Sequence, residues 1–403
     1  MQTVSAADLR IEPLRSLFYL HIQPPAFDAI RAALVAWNRE LRGAALLGAV
    51  DAGLQGLGVL ALGALAALMA AWVAQAEGPV AGWLVATVFA LSPGAIFYAS
   101  FLDSTFLSAL LVLWFYYELT RLARGSGSRG RFGASFVVLF LTRSIVQWPF
   151  LLVCAAALRL LGLDWRRVLL ALGLPALLMA GFLAKQYALF GLTLTSSFGP
   201  DSFCKGLMEY CPGRAPAPVP ELPDARSASV LRRTRKLDGG YNYNQLAFLR
   251  RSFSQMQEYE QLLRERTTGQ LLRVVAHNFT IYMRPTSRHS RHVIVDRLPW
   301  RWPFEGMLSG APLATLLLAG AVFWLRGAGP SLGTLLQGLG YALPALYVAA
   351  VCILFESGEN MRYRFFLEPV CFVFLARQGL GALRRLRTKS LGRAGPADQA
   401  SAC

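Results

Sequence analysis

Side chains able to hold an anionic ligand or move a proton are few in this apolar chain, and they gather at the ends of its hydrophobic runs. His21 and Gln23 stand beside Pro24-Pro25, just ahead of the first long apolar segment. Asp103 opens a later run, Arg143 and Gln147 lie between two short ones, and Lys185 closes another. Glu356, Glu359, Arg362 and Arg364 precede the last run. Arginine forks suit recognition of a phosphate, and a carboxylate at a membrane surface suits a general base acting on a hydroxyl. Asp and Glu oxygens together with a histidine can also hold a divalent cation. No ligand spacing here specifies one, so no metal site is assigned and the cofactor stays open. Neither a nucleophile elbow nor a Gly-rich loop is present, so nothing supports hydrolysis by a Ser/His/Asp site.

Each of these residues also has a plain structural use. Asp103 can cap a helix beginning at Ser104. Arg143 and Lys185 can extend along apolar surface toward the interface. Glu359 can pair with Arg362 or Arg364, and His21 can be satisfied within its loop. Their arrival at five separate element ends, all on one side of the molecule, favours a shared pocket.

The elements that must position them follow from composition. The chain has 403 residues, of which 55% are hydrophobic and 16% charged, against about 25% charged in an ordinary soluble domain. Several apolar runs reach the roughly 20 residues that cross a bilayer. The fold class is therefore an all-α polytopic membrane protein. The runs read as 44–75, 80–100, 102–120, 133–142, 148–162, 166–188, 306–326, 333–355 and 364–383, about nine crossings. Segment 29–42 mixes Arg31, Arg39, Glu40 and Arg42 with Ile30, Leu34, Val35 and Trp37, a pattern that predicts a helix lying in the interface. Ahead of it, the two prolines forbid a regular helix and hold the chain in an extended turn. No basic n-region followed by an apolar core opens the chain, so no cleavable signal peptide is expected.

The net charge is +17, from 40 Lys and Arg against 23 Asp and Glu. Two uses remain open: anchoring to anionic lipid, or a site for a phosphate-bearing ligand. No basic surface interleaved with aromatics points to nucleic acid, and no protein partner is predicted. With the positive-inside rule, nine crossings put Arg121 to Arg131, Arg159 to Arg167 and the tail on the cytoplasmic side. Merging 133–162 into one helix would export that tail and bury Arg143 at mid-membrane, which is costly. The chain then divides into an external segment 1–42 with the Pro-Pro turn and juxtamembrane helix, and an N-terminal membrane bundle 43–188. An external polar cap 189–305, C-terminal membrane helices 306–383 and a basic cytoplasmic tail 384–403 follow. An external cap permits a disulfide between Cys204 and Cys211, with two separated free cysteines as the other outcome.

His21-Ile22-Gln23-Pro24-Pro25 resembles the His-Pro-Pro or Lys-Pro-Pro motif that ends an external loop in the GT-C superfamily of integral-membrane glycosyltransferases. Phe101-Leu102-Asp103-Ser104-Thr105-Phe106 resembles the acidic start of a later helix in that superfamily. Thr142-Arg143, Lys185-Gln186-Tyr187-Ala188-Leu189-Phe190-Gly191 and Glu359-Asn360-Met361-Arg362-Tyr363-Arg364 are similar to its other motifs, in the same order. The resemblance covers most of the membrane part and none of the 200–300 loop. The protein O-mannosyltransferase and aminoarabinose-transferase branches are the nearest named relatives.

That resemblance implies a GT-C-like bundle in the inner (plasma) membrane, with its active site on the external or periplasmic face. It implies sugar transfer from a polyprenyl-phosphate carrier to a lipid, glycan or protein acceptor. Arg143, Lys185, Arg362 and Arg364 would hold the donor phosphate. Asp8 would take the acceptor proton and Asp103 would position it, while His21, Gln23 and Glu359 would shape the pocket. One departure stands out, because the superfamily begins with a cytoplasmic N-terminus and one further helix ahead of the loop that carries its acid. Either Asp8 serves as the base, or the chain as given begins late and lacks that acid, which would leave this polypeptide inactive. Rival expectations are a non-catalytic transporter or assembly scaffold, and a lipid-linked phosphate or acyl transferase. Asp51 is nearly alone as a charge within the runs, which argues against an ion path.

Overall fold

A computed structural model of the chain describes residues 4–100, 102–212, 229–236, 239–283, 332–355 and 363–393. Among them the architecture is all-helical, with one isolated bridge between Arg235 and Tyr241. Two short helices, α1 (Ala6–Ile11) and α2 (Pro13–Phe18), precede the Pro-Pro turn, and α3 (Ala26–Trp37) follows it. The apolar body comprises α4 (Gly43–Glu77), α5 (Pro79–Ala90), α6 (Pro93–Ala99), α7 (Thr105–Ala123), α8 (Arg129–Thr142), α9 (Trp148–Leu160) and α10 (Trp165–Phe190). The polar segment supplies α11 (Gly199–Gly206), α12 (Ser229–Arg232), α13 (Leu246–Glu265) and α14 (Thr268–Met283). Helices α15 (Leu332–Phe355) and α16 (Glu368–Arg393) complete the described chain.

Four helices, α4, α7, α10 and α15, are long and apolar enough to cross a membrane. Their surfaces agree with that use. Leu60 on α4 and Leu174 and Leu177 on α10 point outward and are largely exposed, which a water-facing helix avoids in rows of this length. The apolar run at 306–326 lies outside the described residues.

Local chemistry sets the breaks between helices. The run expected over 80–100 divides at Ser92-Pro93, where the Ser92 hydroxyl accepts from the Ala95 amide at 3.3 Å and Pro93 takes the first turn of α6, the position where its missing N–H is harmless. The chain also breaks at Arg143, which adopts extended backbone at the end of α8, and restarts with Pro149 in the first turn of α9. In the polar segment, Cys204 and Cys211 are joined by a disulfide. That bond closes a small ring at the end of α11.

Aromatic side chains fill the centre. Phe115 of α7 meets Phe132 of α8 at 5.2 Å and Phe150 of α9 at 5.6 Å, and Phe150 meets Tyr347 of α15 at 5.1 Å between ring centroids. Trp72, Phe132, Phe136 and Phe140 are fully buried in the same cluster. Elsewhere the helices approach backbone to backbone. A Cβ placed on Gly58 of α4 would sit 2.2 Å from the Ala99 carbonyl oxygen at the end of α6, whereas one on Gly56 meets nothing within 4 Å. Gly58 therefore fixes how closely α6, and with it the start of α7, lies on α4. Gly58→Ala is expected to cost about 1–3 kcal/mol through overpacking, while Gly56→Ala gains or is neutral because alanine favours helix. Thermal unfolding of the two variants in detergent checks this, with a lowered midpoint for Gly58→Ala alone.

Candidate functional site

The Pro-Pro turn cannot make helical hydrogen bonds, so the residues before it must find other partners. Residues far along the sequence supply them. Ser197 N–H donates to the His21 carbonyl at 2.7 Å, the Ser196 hydroxyl donates to the Ile22 carbonyl, and Gln186 Nε2 donates to the Leu20 carbonyl at 3.3 Å. Asn244 works in both directions. Its Oδ1 accepts from the His21 amide at 2.9 Å and its Nδ2 donates to the Tyr19 carbonyl at 3.0 Å. Gln147 in turn grips the same loop, exchanging two hydrogen bonds with Thr195. The loop 195–197 is wholly buried, and it begins just after Gly191, whose left-handed backbone (φ 69°) ends α10.

His21 is buried against Phe190, with Nδ1 2.7 Å from the Ser197 hydroxyl. Burial lowers its pKa to about 3, opposed by the Asn244 contact and assisted by the positive charge of Lys185. The ring is neutral at physiological pH and secures the turn to the 195–197 loop. Lys185 lies beside it: Nζ donates to the Phe18 carbonyl at 2.9 Å and stands 4.9 Å from the Phe182 ring centre.

Past the prolines, Gln23 Nε2 donates to Asp28 Oδ2 at 2.6 Å, and Arg31 reaches Asp28 Oδ1 at 2.8 Å. The Val4 amide adds a third donor at 3.3 Å. Burial pushes the Asp28 carboxyl upward, against the pull of Arg31, Gln23 and Val4. Asp8 is also buried, with Arg233 on Oδ1 at 2.9 Å and the Ser5 hydroxyl on Oδ2 at 2.6 Å. The Asp8 amide also donates to the Ser5 hydroxyl oxygen at 3.0 Å, so Ser5 caps α1 and Asp8 takes part in that cap.

A second group forms where α7, α8 and α16 begin or end. Asp103 accepts from the Thr105 amide at 2.7 Å and the Thr105 hydroxyl at 2.9 Å, capping the start of α7. Arg143 donates to the neighbouring Ser104 hydroxyl at 2.8 Å and lies over Phe366 at 4.8 Å and Tyr363 at 5.3 Å. Arg364 is buried beneath, paired with Glu368 at 3.2 Å and donating to the Tyr282 carbonyl at 2.9 Å. Glu359 and Arg362 lie outside the described residues. Asp103 also opens onto an apolar cleft walled by Phe27 of α3, Leu54 and Gly58 of α4, and Phe106 of α7. Phe27, next to Asp28, and Asp103 thus line the same small cleft.

Asp103 and Arg143 are therefore brought together through Ser104, and His21 and Lys185 through Phe190. Gln23 and Asp8 serve the N-terminal segment instead. Among the described residues no group of three His, Cys, Asp or Glu side chains is arranged to hold a metal ion. The sequence reading did not single out Asp28, Asn244 or the serines at 196 and 197. Polar residues Thr193, Thr195, Ser196 and Ser197 directly after a spanning run were the available signal.

No protein-family model, curated protein or solved structure matches the chain. Among the described residues, fold and site define an all-helical arrangement with four helices long and apolar enough to cross a membrane and polar side chains grouped near several helix ends.

The His21 environment fixes a pH dependence. Its folded pKa lies below the unfolded value of 6.5, so its contribution to stability is complete above pH 6.5 and falls away as pH drops toward 3. The slope in that window is about 1.4 kcal/mol per pH unit from one extra proton bound on unfolding. His21→Gln removes this component. Melting temperature against pH should be flatter in the variant than in the wild type between pH 6.5 and 4.5, and parallel curves would refute the assignment.

Proposed function

We propose that the chain is a membrane glycosyltransferase that moves a sugar from a polyprenyl-phosphate carrier to a hydroxyl acceptor. The observation carrying this reading is the grouping of Asp103 with Arg143, which donates to the adjacent Ser104 hydroxyl at 2.8 Å. A carboxylate with a guanidinium held on the adjacent Ser104 suits a donor carrying a phosphate. The cleft beside Asp103 admits only a water-sized group, so the lipid tail lies along the helices outside it. The acceptor oxygen attacks the anomeric carbon, and the bond from that carbon to the phosphate oxygen breaks. The polyprenyl phosphate leaves with the electron pair, and the acceptor proton passes to a carboxylate.

Asp103 is the carboxylate proposed for that proton because it is only half-buried, whereas Asp8 is buried against Arg233 and Ser5. Arg143 meets the charge that grows on the leaving phosphate, presented edge-on by its stacking over Tyr363 and Phe366. Lys185 and Arg364 add positive charge at neighbouring helix ends. Arg362 and Glu359 keep the phosphate-binding and pocket roles that the sequence motif implies.

Nine crossings, the external cap over 189–305 and a periplasmic site form part of the same proposal. The Cys204–Cys211 disulfide supports that sidedness, because such bonds persist in oxidising compartments. The test is transfer from a labelled pool of polyprenyl-phosphate sugars in membranes carrying wild type, Asp103→Asn or Arg143→Ala. Each variant is expected to lose about a hundredfold or more in rate at unchanged abundance. Transfer at the wild-type rate in both variants would overturn the assignment.

A further inference from the structure

The helix expected from the sequence over 29–42 is α3, which buries part of its apolar stripe in the protein while Trp37 at its end is 88% exposed. Phe27, Ala32 and Val35 of α3 are buried, and Leu34 packs so closely on Gly53 of α4 that a Cβ there would lie 2.8 Å from its Cδ2. A second exposed apolar face lies on α1 and α2. Leu14 is 82% exposed, Ile11 64% and Phe18 51%. Leu14 and Phe18 stand one helical turn apart on α2, and Ile11 ends α1 just before it. Arg10 and Arg15 flank them.

Position says what covers this face. The Phe18 carbonyl accepts from Lys185 Nζ, and the same ammonium stands 5.7 Å from the Phe18 ring. Lys185 lies near the end of α10, whose outward residues Leu174 and Leu177 form part of the apolar surface of a membrane-length helix. The exposed face of α2 therefore begins where the outward face of α10 ends. Apolar side chains bordered by arginines at that level are the composition of a segment lying in the bilayer interface.

We propose that α1 and α2 form a membrane-surface wedge, with Leu14 and Phe18 among the acyl chains and Arg10 and Arg15 at the level of the lipid phosphates. The wedge ties the Pro-Pro turn to the bilayer, because Tyr19 and His21 follow it directly. This inference does not depend on the proposed transfer reaction.

The test places a nitroxide at Leu14→Cys in the full-length chain, reconstituted into vesicles of phosphatidylethanolamine and phosphatidylglycerol. Cys371 and Cys403 are replaced by alanine, and Gln261→Cys on the polar helix α13 is the aqueous reference. Because Leu14 is so exposed, its replacement disturbs no packing. Collisions with dissolved oxygen should exceed those with a water-soluble nickel chelate at position 14, at a depth of about 5–10 Å below the headgroup level. The order should reverse at position 261. Nickel accessibility at position 14 equal to that at 261 would overturn the proposal. So would spin–spin broadening at position 14, which would mark a second copy of the chain over this face.

Discussion

The backbone of Tyr19 to Ile22 has no regular structure to satisfy it, and the fold is organised around supplying what it lacks. Its carbonyls and the His21 amide are met by Gln186, Ser196, Ser197 and Asn244, which lie 166 to 225 residues away in sequence. A buried backbone group left without a partner costs about 1–3 kcal/mol, so this set of contacts joins three distant segments or none of them. The end of α10, the loop after it and Asn244, two residues before α13, are thereby held to one four-residue stretch. Helix α3 inherits its position from that stretch, and through Phe27 so does one wall of the cleft beside Asp103.

Arginine 143 performs the matching task on the other side. An ionised side chain in the middle of a continuous apolar helix would be costly, and the chain avoids this by ending α8 at that residue and resuming at Trp148. The break leaves a guanidinium among polar and aromatic groups, where Ser104 fixes one nitrogen and two rings support the plane. Arg364 beneath is consumed by Glu368 and the Tyr282 carbonyl. Two arginines one helix end apart thus serve different purposes, one binding the bundle together and one lying against its polar edge.

Much of this was legible in the sequence because it depends on local pattern. Hydrophobic runs locate α4, α7, α10 and α15, and the cost of burying Arg143 predicts the break after α8. Features that depend on long-range pairing were not legible. Gln23 reads as a pocket residue but binds Asp28, and nothing local says that the partner of His21 is Ser197. The amphipathic pattern of 29–42 predicted a helix correctly, yet a stripe of apolar residues does not say whether protein or lipid will cover it. Asp103 had both readings open from the start. It caps α7 and faces the cleft as well, since its two oxygens bond locally while its residue lines the opening.

The ring closed by Cys204 and Cys211 has a consequence for the order in which the molecule assembles. It spans a separation of only seven residues, so its ends meet by local search and need nothing from later parts of the chain. Once closed, it presents a fixed surface. Asn278 of α14 donates to the Gly206 carbonyl at 2.8 Å, and α15 packs so tightly on Gly206 that a Cβ there would lie 2.5 Å from the Leu354 carbonyl oxygen. Both elements follow the ring during synthesis, by about 70 and 150 residues. The ring is thus a seat made in advance, and a membrane-length helix translated later finds its docking place already shaped.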